Sequence, residues 1–188
     1  VLARAVDTIR GNLARQVSRG KIAEGEAEAA VARIATTTDY ARFAACDAVV
    51  EAATENEEIK RAVFQSMLPH LRDDALIASN TSSISITRLA AGTDRPERFI
   101  GLHFMNPVPV MKLVEIIRGI ATDQPTFDAF NTLADRLDKT VAVAEDFPAF
   151  IVNRILLPMI NEAVYTLYEG VGSVQSIDTA LKLGANHP

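Results

Sequence analysis

A single cysteine, Cys46, in 188 residues excludes a disulfide framework and a thiolate zinc site, and fits a reducing compartment. Long apolar runs are missing as well. The longest, Ile155 to Ile160, is interrupted by Pro158 and falls far short of a membrane span. Positive charge is not in excess: 19 Lys and Arg against 24 Asp and Glu give a net charge of −5 and a pI near 5.2. General nucleic-acid binding needs a basic face, so that class is excluded. The three histidines, His70, His103 and His187, show no metal-ligand spacing, and no H-E-x-x-H occurs, so no metal site is expected. No G-x-S-x-G surrounds Ser82 or Ser83, which argues against hydrolase chemistry. There is no phosphate-cradling P-loop and no G-x-G-x-x-G; Gly170-Val171-Gly172 lies between helical patterns with no preceding strand. The amino end carries Arg4, Asp7 and Arg10 at helical spacing and does not read as a secretory signal.

What remains is a globular composition. With 48% hydrophobic residues and a modest net charge, disorder is excluded. The length predicts one domain and part of a second. The sequence begins at Val1 without methionine and stops at Pro188 just after a helical pattern, so a fragment is expected.

Leu2, Val6, Ile9, Leu13 and Val17 fall at helical intervals, and Ala27, Ala30, Val31 and Ile34 make a second short stripe after Gly20 and Gly25. Strands are then expected at 47–52, 75–78, 99–102, 113–117 and 141–143. Helices are expected between them at about 57–71, 86–91 and 126–137. Continuous apolar strands alternating with helices predict an α/β sheet covered on both faces. The character changes at Glu145-Asp146-Phe147-Pro148, beyond which only helices are expected, at about 150–169 and 174–183. The boundary implied is a first domain over 1–146 and a helical one over 147–188.

The densest chemistry lies in Gly101 to Glu115. His103 falls at the end of a buried strand, where open α/β sheets place their ligands. Glu115 sits in a strand with apolar residues on both sides, where a carboxylate is costly unless paired. Together they would make a general base with an orienting acid. The alternative is a structural histidine satisfied by backbone, with Glu115 at a sheet edge facing water. Asn80 to Ser83 follow a strand and read either as ligand donors or as turn formers and helix caps. Asn153 shares a helix face with Leu156, Leu157 and Ile160, which points an amide into an apolar interface. Glu51 and Glu55 read as acids at a helix start, and Cys46 as a small buried hydrophobe.

Three ordered motifs, Gly101-Leu102-His103-Phe104-Met105-Asn106-Pro107-Val108-Pro109, Ser79-Asn80-Thr81-Ser82-Ser83 and Phe150-Ile151-Val152-Asn153-Arg154, together resemble the L-3-hydroxyacyl-CoA dehydrogenase family. The resemblance runs from about Ile34 to the end. It implies a Rossmann-like domain, incomplete at its start, followed by an incomplete all-α substrate and dimerisation domain. It also implies a homodimer that oxidises an L-3-hydroxyacyl-CoA with NAD or reduces acetoacetyl-CoA with NADH or NADPH, while the lone cysteine and acidic balance point to a cytoplasmic protein. Carried over, His103 is the general base and Glu115 its holder, Ser82 bonds the reacting oxygen, and Asn153 contacts the substrate. Cofactor contacts fall on Ala52, Glu55, Lys60, Ser82 and Asn106. The basic run Arg15, Arg19, Lys21 offers Arg19 and Lys21 to the CoA phosphates.

Two departures stand out. Where the family pattern has glycine after the boundary proline, this chain has Ala149, so a left-handed conformation there would be strained. No glycine-rich pyrophosphate turn is present either, so these 188 residues alone are expected to have little or no activity. A non-catalytic relative that keeps the fold, or a segment of a multifunctional fatty-acid oxidation enzyme, are the competing readings.

Overall fold

A computed structural model describes residues 1–187; Pro188 lies outside them. Backbone contacts group the chain into two compact units, residues 1–45 and residue 46 onward.

The first unit is a helical hairpin. Helix α1 (Leu2–Ser18) carries the expected apolar stripe, and Gly20, at φ +65°, turns the chain toward α2 (Glu24–Ala32). The carboxylate of Glu26 accepts the Ala23 backbone N–H at 2.9 Å, tying down the start of α2. A 3₁₀ turn over Tyr40–Ala45 closes the unit, a short element that the polarity pattern does not reveal.

The second unit is a five-stranded sheet with helices. Its strands are β1 (Ala48–Glu51), β2 (Leu76–Ser79), β3 (Phe99–Phe104), β4 (Leu113–Arg118) and β5 (Thr140–Glu145). They lie in chain order and are parallel except for β3 against β4. The parallel crossovers are α3 (Glu57–Met67), α4 (Ile86–Ala90) and α5 (Gln124–Arg136). Each helix begins on a side-chain cap: Asn56 accepts from Ile59 N–H, Ser85 from Arg88 N–H and Asp123 from Thr126 N–H. Helices α6 (Val152–Tyr168) and α7 (Val174–Gly184) follow the sheet.

The core gathers Ile100 and Leu102 of β3, Val114 and Ile116 of β4, and Phe130 and Ala134 of α5. Cover on both faces holds for the inner strands only. As outer strands, β1 and β5 leave Val50 40% and Val143 50% exposed. Helix α6 begins two residues later than its apolar pattern predicts, because Ala149 and Phe150 both have positive φ, +66° and +53°. The strained conformation anticipated at Ala149 is therefore present.

Among the described residues no helix is long and apolar enough to cross a membrane.

Candidate active site

The antiparallel ladder sets His103 of β3 directly opposite Glu115 of β4. Directly opposed residues project on the same face, so two side chains twelve positions apart in sequence become neighbours. His103 Nδ1 lies 2.8 Å from Glu115 Oε2. The second oxygen, Oε1, accepts the backbone N–H groups of Ile151 at 3.0 Å and Val152 at 2.9 Å. Glu115 is wholly buried, yet every part of its charge is answered: an imidazole on one side, the positive end of α6 on the other. The left-handed pair Ala149 and Phe150 aims those two amides, and the Phe150 ring packs 5.7 Å from the imidazole. A carboxylate can only accept, so in the neutral imidazole this bond places the His103 proton on Nδ1 and leaves the lone pair on Nε2.

A cleft of about 270 Å³ opens beside His103 at the carboxyl ends of β1, β2 and β3. It is lined by Ala52, Thr54, Glu55, Lys60, Ser82 and His103, among others. Carboxyl ends of strands are where open α/β sheets take ligands.

Glu55 organises one wall. Its Oε1 accepts from the hydroxyls of Thr81 (2.7 Å), Ser82 (3.0 Å) and Ser83 (2.9 Å) and from the N–H of Ser82 (2.8 Å) and Ser83 (3.0 Å). Burial pushes the Glu55 carboxyl up, and the hydrogen bonds from Thr81, Ser82 and Ser83 outweigh that, holding it below the ordinary carboxylate range. Glu55 therefore bonds the loop after β2 and does more than start a helix. Lys60 is almost wholly buried, and its Nζ lies 2.7 Å from Glu51 Oε2.

The structure thus brings Ala52, Glu55, Lys60, Ser82 and His103 around one cleft, with Glu115 behind His103. Asn153 is half-buried and immediately follows Val152, whose amide bonds Glu115. The apolar interface expected around Asn153 is absent: Leu156, Leu157 and Ile160 are 37%, 58% and 50% exposed, because no described element packs over that side of α6. Asn106 is exposed in the β3–β4 connection and is not among the residues lining the cleft. Arg19 and Lys21 are exposed in the turn of the first unit. Cys46 is half-buried, short of the full burial expected.

Two groups that the sequence names play roles it did not reveal. Glu51 is a buried partner of Lys60 and Ser79. Asp146 accepts from Ser85 Oγ (2.7 Å), Ile86 N–H (2.8 Å) and Thr87 N–H (2.8 Å), anchoring α4 to the end of β5. The acid two residues before the boundary proline was the only available sign of the latter.

The 3-hydroxyacyl-CoA dehydrogenase NAD-binding domain model matches residues 1–147, and the 3-hydroxyacyl-CoA dehydrogenase C-terminal domain model matches 150–188. The chain belongs to the 3-hydroxyacyl-CoA dehydrogenase family. It is 62% identical over 181 residues to a 3-hydroxybutyryl-CoA dehydrogenase of Bradyrhizobium diazoefficiens, covering 96% of this chain and 62% of that protein. A probable 3-hydroxybutyryl-CoA dehydrogenase of Bacillus subtilis is 46% identical over 180 residues, covering 96% of this chain and 63% of that one. A crystal structure of an (S)-3-hydroxybutyryl-CoA dehydrogenase from Ralstonia eutropha superposes with a TM-score of 0.96 at 47% identity, over 99% of this chain and 66% of that one. The chain therefore spans a little under two thirds of the length of the curated relatives it matches.

Proposed function

We propose that the full-length protein interconverts L-3-hydroxyacyl-CoA, and specifically 3-hydroxybutyryl-CoA, with the 3-ketoacyl-CoA, using NAD. The observation that carries this reading is the buried His103–Glu115 pair opening onto a cleft that Ser82 also lines. A nicotinamide bound there supplies the hydride acceptor for oxidation and the hydride donor for reduction. In oxidation His103 Nε2 takes the hydroxyl proton as the C3 hydrogen leaves with its electron pair and the carbonyl forms; in reduction the same nitrogen returns the proton. Glu115 keeps the ring oriented and balances the imidazolium charge. Ser82 holds the reacting oxygen, and Asn153 contacts the substrate from the start of α6.

Ala52, Glu55, Lys60 and Asn106 complete the cofactor contacts in this reading, and Arg19 and Lys21 meet the CoA phosphates. Lys60 would act mainly through its neighbours, since its ammonium is committed to Glu51. The substrate and dimerisation domain begins at residue 147, and the uncovered apolar side of α6 supports an association role for it. The 188 residues alone are expected to turn over little, as they hold no glycine-rich turn for the pyrophosphate.

The test is NADH oxidation by the full-length protein with acetoacetyl-CoA. Replacing His103→Gln is expected to remove at least ~3 kcal/mol of transition-state stabilisation, a loss of about 10²-fold in kcat/KM. Near-normal turnover by that variant overturns the assignment.

A further inference from the structure

We infer that Glu51 is a positioning residue for the cleft, its one buried carboxylate fixing the loop that carries Glu55 and the loop that carries Ser82 in a single relation. The inference rests on the function proposed above. Glu51 and Ser79 form the last register pair of the β1–β2 ladder, and the Asn80 N–H donates to the Glu51 carbonyl oxygen at 2.8 Å as the final backbone bond, so the carboxylate takes over just where the two loops leave the sheet. Glu51 Oε1 accepts the Ala53 N–H at 2.7 Å, and Oε2 accepts the Ser79 hydroxyl at 2.8 Å. Ser79 Oγ in turn accepts the Thr81 N–H at 3.3 Å. From the other direction, Glu55, two residues beyond Ala53, accepts both the N–H and the hydroxyl of Ser82. The chain of contacts therefore closes on itself: Glu51, Ala53, Glu55, Ser82, Thr81, Ser79 and back to Glu51.

Lys60 supplies the counter-charge. Its Nζ lies 2.7 Å from Glu51 Oε2 and 3.9 Å from Glu55 Oε2, with both the Lys60 and Glu51 side chains almost completely buried. A buried ion pair is a poor device for stability alone, because hydrophobic residues of the same volume serve as well or better. It does supply directional acceptors at two loops at once, and sites are only as accurate as the shell that holds them. Glu51 therefore acts through Ala53 and Ser79 on groups that touch cofactor and substrate.

Ser79→Ala in the full-length protein removes both hydrogen bonds made by the Ser79 hydroxyl, to Glu51 and from Thr81, and leaves the Glu51–Lys60 pair intact. The KM values for NADH and for acetoacetyl-CoA are both expected to rise, that for NADH about tenfold, because the ring holds Glu55 on the cofactor side and Ser82 on the substrate side. A fall in thermal midpoint of a few degrees is expected to accompany that change, from the buried hydrogen bonds lost. Glu51→Gln is expected to give the same KM pattern with a larger loss of stability. Unchanged KM for NADH in Ser79→Ala overturns the inference, because a purely structural role would lower the midpoint and leave both KM values alone. If Glu51→Gln does not fold, Ser79→Ala decides by itself. If the wild type shows no turnover, the proposed function falls separately, and NADH titration by fluorescence decides this inference: about tenfold weaker binding in Ser79→Ala supports it, equal binding overturns it. A wild type that binds no NADH overturns both.

Discussion

Asp146 and Glu55 illustrate how single carboxylates organise this molecule. Burial pushes the Asp146 carboxyl up, but the bonds from Thr87, Ser85 and the Ile86 amide prevail and hold it below its ordinary value of 3.8. A carboxyl lowered in the folded state stabilises above its unfolded pKa and loses that contribution as pH falls through the folded value. Asp146→Asn is therefore expected to cost about 1–2 kcal/mol at pH 7, with the gap to wild type closing at pH values below 3.8; thermal melts across pH measure it. A gap that stays constant into acid would show that the charge of Asp146 contributes nothing.

At this scale the sequence was informative where chemistry and position coincided. His103 at a strand end and Glu115 inside an apolar strand named each other, because a lone buried carboxylate is too costly to stand unpaired. Glu51 was not legible. Its partner Ser79 is 28 positions away and reaches it only through strand register, which no local pattern encodes. The strain at Ala149 was legible only by comparison with the glycine expected there, since alanine carries no signal of its own conformation.

At the scale of elements, hydrophobic period located each strand and each α-helix among the described residues to within a few residues, since each buries one stripe or a continuous run. The misfits have local causes. Pro69 follows the last α-helical turn of α3, where the backbone tightens to a 3₁₀ turn, and Ala149 and Phe150 delay α6. Between β3 and its neighbours the packing is close enough to require glycine. A Cβ on Gly101 would meet Ile117 Cβ and Ile86 Cγ1 at 2.8 Å each. Gly101→Ala is expected to cost about 1–3 kcal/mol, read as a lower midpoint in urea denaturation. Because β3 also carries His103, any displacement of the strand would register as reduced turnover as well. A variant as stable as wild type would mean that Ile86 repacks freely.

For the whole molecule, the apolar surface matters most. Helix α6 leaves Leu156, Leu157, Ile160, Val164 and Leu167 exposed along one face, a row longer than scattered surface residues explain. The 188-residue chain is expected to enhance the fluorescence of a dye for exposed apolar surface, and Leu157→Glu combined with Ile160→Glu to reduce that enhancement by about half or more. An unresponsive dye would contradict the exposed row.

The connection from β5 to α6 is bolted at both ends, by Asp146 to the start of α4 and by Ile151 and Val152 to Glu115. Mechanically it is a welded corner rather than a tether. The 17-residue helix beyond it is a lever about 25 Å long, so a tilt of only 10° at the corner would swing the far end by roughly 4 Å. That swing would pull on the same carboxylate that orients His103.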